Sequence, residues 1–304
     1  MDLDSIGGHF RLNLMKRRSF ITTASAMTAG ILTLRDFDAL LSGSGAEPDE
    51  MPSLFVGHGS PMNAIEENEF SRTWRSMGQS LPRPKAILCV SAHWMTPGHT
   101  YVTAAERPRT IHDFGGFPEA LFKQQYPAPG ATDFARDAIT LDHTASIQPG
   151  HDWGFDHGCW SVLLQMYPGA DIPVFQLSLD LNKPPQWHYE LSQRLKSLRK
   201  KGVMVMGSGN IVHNLGRMQW SDAAYDWALE FDTWSKQRIA AGDHRSLIDY
   251  HLQGELARLA IPSNEHYLPL LYVLAMQDTQ DQMAFFNEKT TLGSVSMRSV
   301  IFSR

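Results

Sequence analysis

Short apolar runs recur along the body of the chain, and each is closed by Gly, Ser or His. They lie at residues 54–56, 86–90, 172–177 and 203–206. Continuous apolar runs of this length, as opposed to alternating ones, are typical of strands that are covered on both faces of a sheet. The pattern therefore predicts a parallel or mixed sheet inside the protein.

The segments between these runs have the spacing of amphipathic helices. Residues 186–200 and 222–241 carry apolar side chains three and four positions apart. Buried strands that alternate with such helices predict an α/β fold, with a central mixed or parallel sheet flanked by helices. A last apolar run at 294–302 alternates more and predicts a further strand. No repeat or linker divides the body, so we predict one domain over residues 47–304.

The first residues have a different character. Arg17 and Arg18 precede a mildly apolar stretch at 22–34, and residues 44–46 have the small-x-small form of a processing site. This arrangement predicts a twin-arginine signal over residues 1–46, with the Tat export machinery as a partner and the periplasm as the destination. The alternative is an ordinary amphipathic helix with a chance arginine pair. The apolar stretch is shorter than the roughly 20 residues of a membrane-spanning helix, so we predict no stable span.

Charge and cysteine content narrow the chemistry. The formal net charge is -5, which argues against nucleic acid as a partner because phosphate binding needs concentrated Lys and Arg. The chain has 2 cysteines, Cys89 and Cys159, and they do not form a CxxC pair. Neither a disulfide framework nor a thiolate zinc site is indicated, so a bound metal would have nitrogen and oxygen ligands.

Four histidines among the 13 stand at predicted strand ends or in loops: His58, His93, His213 and His266. The first three follow predicted strands, and in open α/β sheets the ligand crevice lies beyond the carboxyl ends of the strands. We therefore expect a metal site at this edge of the sheet. Neutral imidazoles suit Zn, Fe, Ni or Cu, and the lack of an acidic cluster disfavours Ca or Mg. The alternative for each ring is a structural histidine that hydrogen-bonds a backbone carbonyl.

Six ordered motifs carry a resemblance to a known family. Together they resemble the bacterial 4,5-DOPA dioxygenase family, a branch of the class III extradiol dioxygenases, and the resemblance runs from Met51 to the C-terminus. It implies that residues 47–304 form an extradiol dioxygenase-like domain that cleaves a catechol-type ring with O2. The motifs lie at residues 55–63, 90–94, 110–118, 153–158, 209–215 and 265–271.

The resemblance also implies roles for individual side chains. His58, His93 and His266 are expected to bind the metal, with His213 beside it as a fourth ligand or as an acid/base group. His157 is expected to line the substrate pocket and to share the acid/base chemistry.

The remaining pocket is expected to be aromatic. His112 and Asp113 fall near it by the resemblance, and Trp94 and Phe114 could wall it, although ordinary core packing accounts for each aromatic ring equally well. Glu265 adjoins His266 and is a further candidate ligand. We expect it to point away, because neighbouring residues of an extended chain face opposite sides.

The expected chemistry depends on the ion. Fe(II) is expected for activity and Zn(II) is plausible as the bound ion. Three protein ligands leave room for a bidentate catechol and O2, whereas four permanent ligands do not, so His213 should leave the metal or bind it weakly. The alternatives are a zinc hydrolase and a non-catalytic metal-binding protein on the same scaffold.

Overall fold

A computed structural model describes residues 31–32, 50–221 and 223–304 of the chain. The predicted twin-arginine signal lies outside the described residues except for Ile31–Leu32, a two-residue strand that pairs in parallel with a strand near the C-terminus. No helix of the described residues is both long enough and apolar enough to cross a membrane.

The strands of the described residues are β1 Ile31–Leu32, β2 Ser53–Gly57, β3 Ala86–Thr96, β4 Thr100–Thr103, β5 Ile147–Gly150, β6 Val174–Asp180, β7 Val203–Gly209, β8 Gln282–Phe286, β9 Thr290–Thr291, β10 Val295–Ser296 and β11 Ser299–Ser303. Nine of them form a mixed sheet at the centre of the molecule, in the order β1-β8-β11-β2-β7-β3-β6-β4-β5, and β9 and β10 form a separate two-stranded ribbon. The middle strands β2, β7, β3 and β6 are parallel to one another, whereas β11 and β4 join that block antiparallel.

Helices cover both faces of this sheet. They are α1 Glu69–Ser80, α2 Glu119–Phe122, α3 Thr132–Leu141, α4 His157–Met166, α5 Pro185–Leu195, α6 Asp226–Ala240, α7 His244–Ile248, α8 Glu255–Ala260 and α9 Leu268–Met276. Short 3-10 turns add Pro61–Ala64, Lys196–Lys201, Leu215–Arg217 and Tyr250–Gln253.

The sheet separates two apolar cores, which is why its central strands are apolar on both faces. Leu191 of α5 and Leu271 of α9 belong to one core, and Trp74 of α1 and Trp160 of α4 belong to the other. Every residue of β2, β6 and β7 is buried. The predicted α/β sandwich with a central mixed sheet is therefore confirmed.

Four local predictions need correction. The run at 294–302 is not one strand, because β10 ends at Ser296 in the small ribbon and β11 begins at Ser299 in the main sheet. The α6 helix begins at Asp226, and α5 ends at Leu195 before a 3-10 turn. β3 continues to Thr96 through a shift of register between Val90 and Met95, so His93 lies inside a strand.

Candidate metal centre

Three elements bring histidines to the carboxyl end of the parallel block. His58 directly follows β2, His93 lies in the irregular part of β3, and His266 precedes α9 by two residues. Backbone hydrogen bonds join these elements to the end of β7. The His58 N–H donates to the Gly209 carbonyl (3.1 Å), and the Asn210 N–H donates to the His266 carbonyl (2.8 Å).

Glycines in β7 allow α9 to approach this closely. A Cβ atom at Gly207 would overlap the Pro269 carbonyl, and one at Gly209 would overlap the His266 carbonyl. Pro269 itself lies in the first turn of α9, where its missing N–H has no partner to lose. The position of His266 therefore depends on small residues in the neighbouring strand.

The three rings form one group. Ring centroids are 5.0 Å apart for His58 and His93, 5.3 Å for His58 and His266, and 5.0 Å for His93 and His266. One ring nitrogen from each lies within 4.8 Å of the other two. The Nε2 atoms of His58 and His93 are 3.2 Å apart.

Hydrogen-bond partners behind the rings determine which nitrogens face inward. The Ser208 hydroxyl donates to the Gly158 carbonyl (2.6 Å), so its oxygen accepts from Nδ1 of His58 (3.0 Å). Glu265 Oε1 accepts from Nδ1 of His266 (3.0 Å). A carboxylate or hydroxyl that accepts from Nδ1 fixes the tautomer in which Nε2 carries a lone pair.

His93 has the same arrangement. Asp113 Oδ2 lies 3.3 Å from Nδ1 of His93 and accepts a 2.8 Å hydrogen bond from Nδ1 of His157. The carboxylate favours N–H on both Nδ1 atoms. Nε2 of His93 then carries a lone pair that faces Nε2 of His58.

Glu265 does not point away from His266 as the sequence led us to expect. Residues 265–267 form a turn, not an extended strand, and both side chains lie on the same side. Glu265 therefore acts on the ring of His266 through Nδ1.

Burial keeps these imidazoles neutral. Burial lowers the pKa of His58 and of His266 well below the ordinary value, and neighbouring imidazoles lower both further. Burial also lowers the pKa of His93, with His157 adding to the effect and Asp113 opposing it. Neutral imidazole is the form that binds a metal.

This donor set fits a divalent transition metal. Two bare lone pairs at 3.2 Å repel each other unless a cation or a proton lies between them. Proton sharing is disfavoured because burial lowers both pKa values. Three imidazole nitrogens with hydrogen-bonded outer partners are ligands that Fe(II) and Zn(II) accept.

His213 stands beside this group and not in it. Its ring stacks on His266 at 3.5 Å between centroids and 11° between planes, and it shares a second potential ligand group with Glu265 and His266. Burial lowers the pKa of His213 to about 4. The structure thus brings His58, His93 and His266 together and places His213 against one face of the trio.

His157 lies on the opposite side, at the first residue of α4. Its ring centroid is 3.9 Å from that of His93, and both its backbone N–H and Nδ1 donate to Asp113, each at 2.8 Å. Burial would raise the pKa of Asp113, but the hydrogen bonds and charge interaction with His157 lower it. Asp113 thus orients His157 and leaves its Nε2 as an acceptor.

The predicted pocket residues lie in two places: Phe114 and His112 lie on the His157 side of the site, and Trp94 packs against Trp153. Phe114 meets His157 edge to face at 5.6 Å, and the His112 ring lies 5.7 Å from Phe114 while its Nε2 donates to the Gln124 carbonyl. Trp94 is buried and stacks on Trp153 at 5.7 Å. The aromatic side chain beside the histidines is therefore Phe114.

Of the three groups that face the Nδ1 atoms, the sequence had singled out Asp113 as a pocket residue and Glu265 as a candidate ligand, but not Ser208. Ser208 is a single hydroxyl in an apolar strand. Only the general rule that a metal-bound histidine has a partner on its second nitrogen would have prompted a search for it.

The chain is similar to known proteins over most of its length. A family profile described as the catalytic LigB subunit of aromatic ring-opening dioxygenase matches residues 52–302. A 4,5-DOPA dioxygenase extradiol from Escherichia coli (strain K12) is 47% identical over 256 residues, which cover 82% of this chain and 94% of that protein. The protein of the same name from Beta vulgaris is 36% identical over 234 residues, 74% of this chain and 87% of that protein.

A solved structure matches as well. The crystal structure of an uncharacterized protein from Escherichia coli K12 superposes with a TM-score of 0.72 at 42% sequence identity, covering 83% of this chain and 99% of that one. These matches cover between 87% and 99% of each relative, and the family profile matches residues 52–302 of this chain. The chain therefore belongs to the LigB family of extradiol, aromatic ring-opening dioxygenases.

Proposed function

We propose that this chain cleaves catechol-type rings with O2 at an Fe(II) ion held by His58, His93 and His266. Family membership supplies the reaction class. The observation that supports these three ligands is the set of outer acceptors that fix each Nδ1 as a donor, so that the opposite ring edges converge. A structural role for the rings would not require their lone pairs to face one another.

When bound, Fe(II) supplies the redox chemistry between a chelating catechol and O2. The same neutral nitrogens suit Zn(II), which has no redox chemistry. We therefore propose Fe(II) as the ion that supports turnover and Zn(II) as an ion that occupies the site without supporting it.

His157 is the proposed base. A catechol hydroxyl loses a proton when the substrate chelates a metal, and a neutral imidazole can accept it. Asp113 holds the N–H of His157 at Nδ1, so the free lone pair is on Nε2. The ring is next to His93, so this lone pair can reach a substrate bound at the same ion.

His213 is the proposed second acid/base group and not a permanent ligand. With a pKa of about 4 it is neutral at pH 7, and the stack on His266 holds its plane. His58, His93 and His266 would hold the ion, and His213 would stay free to exchange a proton with the substrate. His213→Gln should therefore retain Zn(II) affinity and lose kcat with Fe(II); an unchanged kcat would remove His213 from the chemistry.

The proposed substrate is a catechol, and DOPA is the first to test because the two relatives described above are named for it. Phe114 offers an apolar edge to an aromatic ring near His157.

The test is oxygen consumption by metal-stripped protein reloaded anaerobically with Fe(II). We expect stoichiometric O2 uptake with at least one catechol, a ring-opened semialdehyde product, and no uptake by the Zn(II)-loaded protein. No uptake with any catechol, after metal analysis confirms the Fe(II) content, would overturn the proposal.

We also propose that residues 1–46 direct export by the twin-arginine route, since Arg17 and Arg18 precede a short apolar stretch. Cell fractionation should find a shortened chain in the periplasm, and substitution of both arginines by Lys should retain it inside. An unprocessed cytoplasmic protein would contradict this.

A further inference from the structure

Asp156 is a fully buried carboxylate at the start of α4, next to the histidine site. Its Oδ1 accepts hydrogen bonds from the Ser91 hydroxyl (2.6 Å) and the Cys159 N–H (3.1 Å). Its Oδ2 accepts from the Gln176 amide (2.7 Å) and from Nε1 of Trp153 (3.4 Å). All four donors are neutral groups, and their hydrogen bonds to the carboxylate fix the direction of each.

One branch of this network leads to His93. Ser91 donates its hydroxyl proton to Asp156 and accepts the backbone N–H of His93 (3.2 Å). This bond lies in the part of β3 where the register against β6 shifts. Asp156 therefore holds the irregular backbone that directs His93.

A second branch leads to His58. The carbonyl of Gly158, two residues after Asp156, accepts the Ser208 hydroxyl that in turn accepts from Nδ1 of His58. A Cβ atom at Gly158 would overlap Ser91 Oγ, so the turn Asp156–Gly158 packs directly on β3. The tautomer of His58 thus depends on where this turn lies.

We propose that Asp156 is a positioning residue of the metal centre: by fixing the turn Asp156–Gly158 it sets His93 through Ser91 and His58 through Ser208. It has no contact with either imidazole ring in this network. The inference rests on the metal site proposed above, and it predicts that a change at Asp156 weakens metal binding without removing a ligand.

Asp156→Asn tests the network because an amide cannot accept on both sides. With its oxygen toward Ser91 and Cys159, its NH2 faces the donating amide of Gln176. The double variant Asp156→Asn with Gln176→Glu restores donor-to-acceptor pairing. The new Glu accepts from that NH2 and also from the backbone N–H of residue 156, which in the wild type donates to Gln176 Oε1 (3.1 Å).

The measurement is Zn(II) affinity of the metal-stripped full chain by competition with a chromogenic chelator, together with its Tm. We expect Asp156→Asn to weaken Zn(II) binding about 10–100-fold, as loss of an outer partner does. The double variant should recover most of that loss. Ser91→Ala, which cuts only the His93 branch, should fall between wild type and Asp156→Asn.

Asp142→Asn is the matched control. Asp142 is also a buried carboxylate, and it accepts from Arg194, Thr144, Ser146 and Ile147, none of which hydrogen-bonds a proposed metal ligand. The substitution should lower Tm and leave Zn(II) affinity unchanged.

The outcomes are distinct. Wild-type affinity in both Asp156→Asn and Ser91→Ala, or equal loss of affinity in Asp142→Asn, would overturn the positioning role. If Asp156→Asn does not fold, the Ser91→Ala affinity decides. Absence of Zn(II) binding by the wild type would instead refute the metal site itself.

Discussion

The two ends of the central parallel strands treat buried polar groups in opposite ways. At the amino end, Arg199 is fully buried and each of its three guanidinium nitrogens donates to a nearby acceptor: Nε to the Met51 carbonyl, Nη1 to the Met276 carbonyl and Asp281, and Nη2 to Asp281. At the carboxyl end, neutral imidazoles face one another at 3.2 Å. The charge of Arg199 is paired with Asp281 at the amino end, whereas the Nε2 lone pairs of His58 and His93 remain available to bind a cation at the carboxyl end.

The α9 helix connects these ends. His266 precedes it, and the carbonyl of its last residue, Met276, accepts from Arg199. All nine residues of this helix are buried. Stability and reactivity are therefore placed at opposite ends of the same element, so variants should separate them.

Arg199→Ala should give the largest effect on stability. It leaves the Asp281 carboxylate buried without its cationic partner and removes the Arg199 donors from two carbonyls, and breaking a buried ion pair costs about 3–5 kcal/mol. Urea unfolding should show this loss, while kcat per folded, Fe(II)-loaded molecule stays near wild type. A selective loss of kcat with unchanged stability would reverse the comparison.

His58→Gln should have the opposite signature. It removes a proposed ligand, so Zn(II) affinity should fall by more than the roughly 100-fold that loss of an outer partner costs. The free energy of unfolding of the metal-free chain should change little, because a lone pair that repels Nε2 of His93 is also removed. Chelator competition and urea unfolding on the same sample measure both; unaltered Zn(II) binding would exclude His58.

Glu265→Gln should weaken Zn(II) binding by about 10–100-fold while leaving all three ligands in place. The amide replaces a charged acceptor on Nδ1 of His266 with a neutral one. Exposed Glu255, which pairs with Arg258, offers a control in Glu255→Gln that should behave as wild type. Equal affinities for both variants would show that Glu265 has no effect on the site.

Acid should weaken the metal-free protein gradually. The folded-state pKa of His213 is about 4, and burial holds those of His58 and His266 well below the ordinary value near 6.5. The unfolded chain then binds more protons than the folded one below about pH 6.5. The free energy of unfolding therefore decreases as the pH is lowered, by about 1.4 kcal/mol per pH unit for each such histidine. Urea unfolding at several pH values from 7.5 to 5.5 measures this slope, and His213→Gln should make it smaller. A free energy of unfolding that does not change with pH would contradict the prediction.

Periodicity in the sequence predicted the fold because continuous apolar runs occur mainly in strands that are covered on both faces. It also located His58, since the carboxyl end of a buried parallel strand is a local property of the sequence. It misplaced His93, because a register shift inside β3 depends on pairing with β6 and leaves no local pattern. The prediction of a single strand at 294–302 was wrong for a similar reason, because two strands in different sheets share this one apolar segment.

Other features depend on contacts between distant parts of the chain. Arg199 meets Asp281 across 82 positions and Ser208 meets His58 across 150. Strand ends in the sequence predicted a metal site around His58, His93 and His213, and the family resemblance added His266 as a ligand, although it follows no strand. The direction of Glu265 was predicted wrongly because the chain turns at residues 265–267 and is not extended there.

The glycines around the site differ in what they permit. Gly207 and Gly209 lie against the backbone of α9, so even alanine there would displace His266. Gly115, in the loop beside Phe114, has open space where a side chain would project, while Gly116 has a φ of +77° that disfavours other residues. A mutational library intended to broaden the range of accepted aromatics should therefore diversify position 115 and leave 207 and 209 untouched.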